Sequence, residues 1–321
     1  MSILAQLYNK YGKQVVTSFE DINTLIEPNN RRSGKVRILM VGGSEKYPGA
    51  LIMSGLAALR TGVHGVILIA PEVICRNVPV ILPSGFITLN SDKKNILFKE
   101  LEKMISKWEV VALLGPGIEN NEKNQNFITQ LIELFLKNKI PMVLDANVLD
   151  MILETSFINK LKNQQIALTP NSDELSRIVK YYNLQLPSNF LEKVEFVKNL
   201  AKQIGVVICA KGRRDIITDG NQLKINYAGD AIMSAANCGD VLSGLIVSFL
   251  SESRDLFKAS VAGTFVAGRA GNLSFAKKGF SFVAYDLLES LEEFIKMSSM
   301  QTLINEVRLS KNTFDEDELE I

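Results

Sequence analysis

A chain of 321 residues with 46% hydrophobic content can bury a substantial core, as one large α/β domain or two smaller ones. Its 36 basic residues stand against 35 acidic ones, so no global field draws it to nucleic acid or a membrane surface, and neither is expected as a partner. With His64 the sole histidine, His-rich zinc sites and serine–histidine triads are excluded, and a general base has to be a carboxylate, Lys, Cys or Tyr.

No apolar run reaches spanning length, and Met1-Ser2-Ile3-Leu4 lacks a signal-peptide layout. Cys75, Cys209 and Cys238 are few, odd in number and scattered, which suits a reducing compartment. A cytoplasmic protein is expected.

Leu4, Leu7, Val15, Val16, Ile22 and Leu25 predict one or two amphipathic helices, and Pro28 to Gly34 reads as a linker, so residues 1–33 form an N-terminal extension. Val36 to Val41 is an apolar strand, followed by a Gly-rich turn from Gly42 to Gly49 and a helix from Ala50 to Arg60. Strand, Gly-rich turn and helix bring backbone close to a polar ligand, although neither the P-loop spacing nor G-x-G-x-x-G is present. His64, between Val63 and Gly65, reads as a turn residue rather than a catalyst.

Val66 to Ala70 is a second strand, and Val78 to Leu82 opens a less regular section. Val110 to Leu114 is a strand closing on Gly115-Pro116-Gly117, and a helix from Asn124 to Asn138 leads to the strand Pro141 to Asp145. Ile166 to Leu168 runs into Thr169-Pro170-Asn171-Ser172-Asp173-Glu174 and a helix. Val206 to Ala210 ends at Lys211-Gly212, and Ile216 to Asn226 reads as a hairpin turning at Asp219-Gly220-Asn221. The repeated order of strand, polar turn and helix predicts a mostly parallel sheet flanked by helices, with the polar turns gathered on one rim.

The strongest feature is Asn237-Cys238-Gly239-Asp240, where small residues open onto a helix with apolar positions Val241, Leu242, Leu245, Ile246, Phe249 and Leu250. Free N–H groups and the positive end of a helix dipole make such an opening an anion site. Asp240 lies where a carboxylate can take a proton from a hydroxyl; alone, a Gly-Asp pair reads equally as a helix cap. Residues 286–321 read as a C-terminal helix and a charged tail carrying Asp315, Glu316, Asp317 and Glu318.

Taken in order, these turns resemble the ribokinase-like superfamily, and within it the ADP- or ATP-dependent NAD(P)H-hydrate dehydratases. Gly42 to Ala50 is similar to the family's Gly-Gly-Ser-x-x-Tyr-x-Gly-Ala start, and Ala58-Leu59-Arg60-Thr61-Gly62 to the pattern after it. Gly115-Pro116-Gly117, Asp145-Ala146, Thr169-Pro170 with Glu174, Lys211-Gly212, and Asn226, Gly229 and Met233 before Gly239-Asp240 follow in the family's order. The likeness covers roughly residues 34–285. Departures fall at Asn237 for a glycine, Asn171 for a histidine, Asn147 for a carboxylate, Asp215 for a hydroxyl and Asp230 for an asparagine.

The resemblance implies a three-layer αβα sandwich and a repair reaction: hydrated NADH or NADPH is phosphorylated on its added hydroxyl, and loss of phosphate restores the double bond. It implies Asp240 as base and the amides of Asn237, Cys238 and Gly239 as anion hole. Lys211, Gly212, Asn171, Glu174 and Gly239 would meet the nucleotide, and Gly43, Ser44, Tyr47, Gly117, Asp145 and Asp240 the hydrate. ADP, or less readily ATP, with Mg2+ is the expected co-substrate, and a homo-oligomer, tetramer or dimer, the expected assembly. A small-molecule kinase of the same superfamily, or a non-catalytic nucleotide-binding relative, are the other readings.

Overall fold

The structure is a computed structural model and describes residues 2–26, 36–81, 85–229 and 231–298. In chain order the elements are α1 (Ile3–Tyr11), α2 (Asn23–Ile26), β1 (Val36–Val41), α3 (Pro48–Arg60), β2 (Val66–Ala70), α4 (Glu72–Ile81), β3 (Phe86–Asn90), α5 (Lys94–Ile105), β4 (Glu109–Leu114) and α6 (Glu122–Lys137). They continue with β5 (Met142–Leu144), α7 (Asn147–Glu154), β6 (Ile166–Leu168), α8 (Ser172–Tyr181), α9 (Phe190–Ile204), β7 (Val207–Ala210), β8 (Asp215–Thr218), β9 (Leu223–Asn226), α10 (Cys238–Ser253) and α11 (Leu256–Lys278). A last helix, α12, covers residues 284–298.

The strands form one nine-stranded sheet in the order β3-β2-β1-β4-β5-β6-β7-β8-β9. Pairing is parallel from β3 to β7, and antiparallel between β7 and β8 and between β8 and β9. Alternation along β1 sends Ile38 and Met40 into one core layer and Leu39 and Val41 into the other, as a sheet covered on both faces requires. α3, α4, α10, α11 and α12 cover the first face, and α5 to α9 the second. Each fully buried Leu or Ile in these layers contributes roughly 1.5–3 kcal/mol.

The chain leaves β1 toward α3 on one face but leaves the adjacent β4 toward α6 on the other. Beyond their carboxyl ends this divergence opens a crevice, the usual place for ligands in such sheets.

The section expected to be less regular around Val78 is the end of α4 and is followed by β3. Pro79 lies near the helix's end, where few backbone bonds remain to be lost, so the helix runs to Ile81; Leu82 lies outside the described residues. Residues 2–26 lie along the β9 edge: Leu7, Val15 and Ile22 are buried, Val16 pairs with Ile225, and Asp21 bridges to Lys224 at 2.6 Å. At the other end Leu287, Leu288 and Leu291 of α12 join the core, carrying the folded unit past the expected boundary at 285. Residues 27–35 and 299–321, which hold the expected linker and the charged tail, lie outside the described residues.

α10 and α3 touch closely enough that a Cβ on Gly244 would stand 2.2 Å from the Ser54 carbonyl oxygen. Ser54 Oγ donates to the Asp240 carbonyl at 2.8 Å, which ties the start of α10 to α3. No helix among the described residues is long and apolar enough to cross a membrane.

Candidate active site

Asn237 precedes α10 with φ of 69°, the left-handed conformation that asparagine tolerates better than most residues. Its Nδ2 donates to Asp240 Oδ2 at 2.9 Å, so the residue standing for a glycine adds a brace on the acid. The Cys238 amide donates to the Ala235 carbonyl at 3.2 Å, which removes it from the expected anion hole. The amides of Gly239 and Asp240 donate to no backbone carbonyl among the described residues. Of the three expected amides only that of Cys238 is taken, because Ala235 to Cys238 closes its own turn before the helix begins; the Asn237 amide also donates to no backbone carbonyl among the described residues.

Burial pushes the Asp240 carboxyl up to about 6, with the Asp145 charge adding to the effect and the Asn237 hydrogen bond and Lys211 opposing it. Burial likewise drives the Cys238 thiol up to about 12, so it stays protonated and is no nucleophile.

Lys211 follows β7, and its amide donates to the Pro170 carbonyl at 2.8 Å. Its Nζ donates to Asp145 Oδ1 at 2.8 Å, and Thr169 Oγ1 donates to the same oxygen at 2.7 Å. Burial alone would lower the Lys211 ammonium, but the charges of Asp145 and Glu174 outweigh it and hold the group above its ordinary value. A Cβ built on Gly239 would lie 3.5 Å from Lys211 Nζ. The ammonium thus reaches the opening of α10, beside the two free amides.

Asn171 and Glu174 form a capping box at the start of α8: Asn171 Oδ1 accepts from the Asp173 and Glu174 amides, and Glu174 Oε2 accepts from the Asn171 amide at 2.7 Å. Burial raises the Glu174 carboxyl, with Lys211 opposing. The Gly212 amide donates to Asp215 Oδ1 at 2.9 Å, and Asp215 Oδ2 accepts from Asn226 Nδ2 at 3.0 Å. The acid found where a hydroxyl was expected therefore folds the Lys211–Gly212 turn back on its own hairpin.

On the other side of the rim the two Gly-rich turns interlock. The Gly43 amide donates to the Pro116 carbonyl at 2.7 Å, and a Cβ on Gly117 would stand 2.5 Å from the Tyr47 carbonyl oxygen. A Cβ on Gly115 would stand 1.9 Å from the Asp145 carbonyl oxygen, so this glycine sets the approach of the β4 turn to the β5 acid. Ser44 is buried and its Oγ accepts from the Tyr47 amide, while Tyr47 itself is 45% exposed. Asn147 Nδ2 donates to the Ile118 carbonyl at 2.7 Å, a structural bond in place of a second carboxylate.

Asp240, Gly239, Lys211, Asp145 and Glu174 thus share one electrostatic neighbourhood. Gly43, Tyr47 and Gly117 share the interlocked turns, which adjoin it through Gly115 and Asp145. Sequence reasoning passed over Ser54, whose hydroxyl anchors Asp240, although its place among small residues of α3 marks a close helix contact. Among the described residues no three His, Cys, Asp or Glu side chains cluster as a metal cage. The arrangement offers an acid that is protonated only below about pH 6, a cation and two unpaired amides: the means to accept a proton and hold an anion.

A family model described as NAD(P)H-hydrate dehydratase matches residues 38–293. The chain is 30% identical over 288 residues to the bifunctional NAD(P)H-hydrate repair enzyme of Pyrobaculum aerophilum, covering 89% of this chain and 55% of that protein. It is also 30% identical over 266 residues to the ADP-dependent (S)-NAD(P)H-hydrate dehydratase of Nitrosopumilus maritimus, covering 81% and 88%. The chain spans about half the length of the bifunctional relatives. Its fold is similar to that of the ADP/ATP-dependent NAD(P)H-hydrate dehydratase of Bacillus subtilis, with a TM-score of 0.68 at 20% identity, covering 88% of this chain and 99% of that one. A ribokinase-like protein of Enterococcus faecalis gives a TM-score of 0.72 at 18% identity, covering 88% and 95%. The sheet and its flanking helices are those of the ribokinase-like fold, and the chain belongs to the NAD(P)H-hydrate dehydratase family.

Proposed function

We propose that the protein is a nucleotide-dependent NAD(P)H-hydrate dehydratase, with Asp240 as its general base. The observation that carries this reading is the meeting of a carboxyl raised to about 6, the Lys211 ammonium and the free Gly239 and Asp240 amides at the head of α10. Hydroxide is a poor leaving group and phosphate a good one. The hydrate's hydroxyl oxygen forms a bond to the terminal phosphorus of the nucleotide while its proton passes to Asp240 and the phosphoanhydride bond breaks. Phosphate then leaves with the C–O electron pair, and a proton lost from the adjacent ring carbon restores the double bond. Lys211 and the two amides hold the negative charge that develops during transfer.

ADP is the proposed phosphoryl donor, in keeping with the Nitrosopumilus relative's name, and ATP the second choice, since the Bacillus dehydratase was co-crystallised with ATP and Mg2+. Magnesium binds chiefly through phosphate and water oxygens and one or two carboxylates, so it is proposed to arrive with the nucleotide. The Gly239 and Asp240 amides, with the Asn237 amide and the Lys211 ammonium, are the proposed anion contacts. Asn171, Glu174 and Gly212 shape the nucleotide side, and Gly43, Ser44, Tyr47, Gly117 and Asp145 the hydrate side. Incubation of NADHX or NADPHX with ADP and magnesium tests the proposal. Return of the near-ultraviolet absorbance of reduced nicotinamide with release of phosphate supports it; a stable phosphorylated product, or no turnover with either ADP or ATP, contradicts it.

A further inference from the structure

A cavity of about 200 Å³ lies in the crevice beyond β1 and β4, outside the cluster around Asp240. Gly42, Gly43 and Ser44 form one wall, so the β1 turn that is interlocked with Gly117 on one side faces this cavity on the other. Lys94 from the first turn of α5 and Lys123 from the first turn of α6 reach its edge, together with Ser91 and Asp92 beyond β3. The N-cap of α5 is Lys93, which gives no side-chain bond to the helix, so the positive end of α5 adds to the two ammonium groups. Glu45 and Glu119 also line the space, and Asp92 stands 3.7 Å from Lys123.

This mixture selects the chemistry of the occupant. A bare polyanion would meet three carboxylates; an uncharged ring would leave the lysines unused. A ribose phosphate satisfies both, since carboxylates accept from ribose hydroxyls and ammonium groups face phosphate oxygens. The volume is below the roughly 300 Å³ of a complete small-molecule site, so the cavity suits part of a longer ligand. A hydrated nicotinamide dinucleotide is such a ligand. With its reacting ring at Asp240 and the phosphoryl donor beside Lys211, the rim toward β1 and β2, where the Gly43 turn joins the interlocked turns to this cavity, is the path that leads its second half here.

We propose that this cavity receives the ribose phosphate of the adenosine half of the hydrated dinucleotide, with Lys94 and Lys123 facing its phosphates and Asp92 its ribose hydroxyls. The inference rests on the dehydratase reading and adds to it a subsite for the part of the substrate that does not react. Such a subsite binds the ground and transition states alike, so it acts on KM and leaves the chemical step alone.

The test is the double variant Lys94→Glu/Lys123→Glu, with Lys123→Glu alone as a milder form because that side chain is 71% exposed and its change leaves the core intact. With NADHX, KM is expected to rise about tenfold or more while kcat stays within about twofold. Hydrated reduced nicotinamide mononucleotide, which lacks the adenosine half, is expected to be turned over equally by variant and wild type, and KM for ADP to be unchanged. An unchanged KM for NADHX, or an equal loss with both substrates, overturns the proposal. Binding of NADH in the presence of saturating ADP, followed by fluorescence, separates this inference from the parent reading. Wild-type binding weakened about tenfold by the double substitution supports the subsite even without turnover; absent or unaltered binding overturns it even if the enzyme is a dehydratase.

Discussion

Lys211 Nζ lies 2.8 Å from Asp145 Oδ1, and the same ammonium stands 3.5 Å from the point where a side chain on Gly239 would begin. One cation, its side chain 17% exposed, thus joins the end of β5 to the head of α10. Breaking a buried pair by removing one partner costs about 3–5 kcal/mol. Lys211→Met is therefore expected to lower the unfolding free energy by an amount in that range, and to weaken ADP binding more than the binding of NADH. Chemical denaturation and titration calorimetry on the same preparation read both effects. Asp145→Asn, which keeps an oxygen for Thr169, is expected to cost less stability than Lys211→Met.

The Asn237 brace on Asp240 tests how the base is tuned. The hydrogen bond favours the charged carboxylate, so it holds the Asp240 value below what burial and Asp145 would otherwise set. Asn237→Gly keeps the left-handed turn and removes the bond, so the acid limb of the pH–kcat profile is expected to move to higher pH. Asn237→Ala removes the bond and also the short polar side chain that lets asparagine tolerate φ of 69°, adding about 1 kcal/mol of destabilisation. An unmoved acid limb in Asn237→Gly would show that Asp240 does not set the profile.

Asp240 has a stability cost with a defined sign. Its folded value of about 6 lies above the reference of 3.8, so the native state binds this proton more tightly than the unfolded chain. The cost is complete above about pH 6 and is relieved as pH falls toward 4. Asp240→Asn is expected to be more stable than wild type at neutral pH by about 1–2 kcal/mol, with the difference vanishing near pH 4. Asp215, also pushed up to about 6 by burial, has the same sign and is present in both proteins, so the comparison isolates Asp240. A variant that gains stability while losing activity is the expected trade-off of a desolvated catalytic acid.

Gly115 and Gly244 make the close approaches on which the site depends. A methyl on Gly115 would meet the Asp145 carbonyl oxygen at 1.9 Å, at φ of 139°, and one on Gly244 the Ser54 carbonyl oxygen at 2.2 Å. Gly115→Ala and Gly244→Ala are each expected to destabilise by about 2–4 kcal/mol, since backbone has to move to admit the methyl. Gly49→Ala, with nothing within 4 Å, is the control and is expected to leave the thermal midpoint almost unchanged.

Much of this architecture is written locally in the chain. Apolar runs such as Val36–Val41 and Val66–Ala70 are buried on both faces, and the turns after them carry the Gly, Asp and Lys residues of the site, so the rim could be read from strand ends alone. The hairpin at Asp219-Gly220-Asn221 was legible for the same reason: the Asp219 side chain holds the following amides and Gly220 has φ of 92°. Three features were not legible. Val78 to Leu82 read as irregular where α4 continues to Ile81 through Pro79, because the cost of a proline depends on how much helix follows it. The Cys238 amide is lost to Ala235 through a turn that no side-chain pattern marks. The Thr17 hydroxyl donates to Asn226 across 209 positions of sequence, and contacts of that range leave no periodic trace in the chain.

The central claim is that the carboxylate of Asp240, placed beside unpaired amides and the Lys211 ammonium, removes the hydroxyl proton during phosphoryl transfer. The most direct measurement is a single-turnover experiment in which wild type and Asp240→Asn, each saturated with NADHX, ADP and magnesium, are followed for phosphate release and reduced nicotinamide. The account predicts a fall in the chemical rate of about a hundredfold or more for Asp240→Asn, with ADP binding retained. A variant that turns over at the wild-type rate contradicts it.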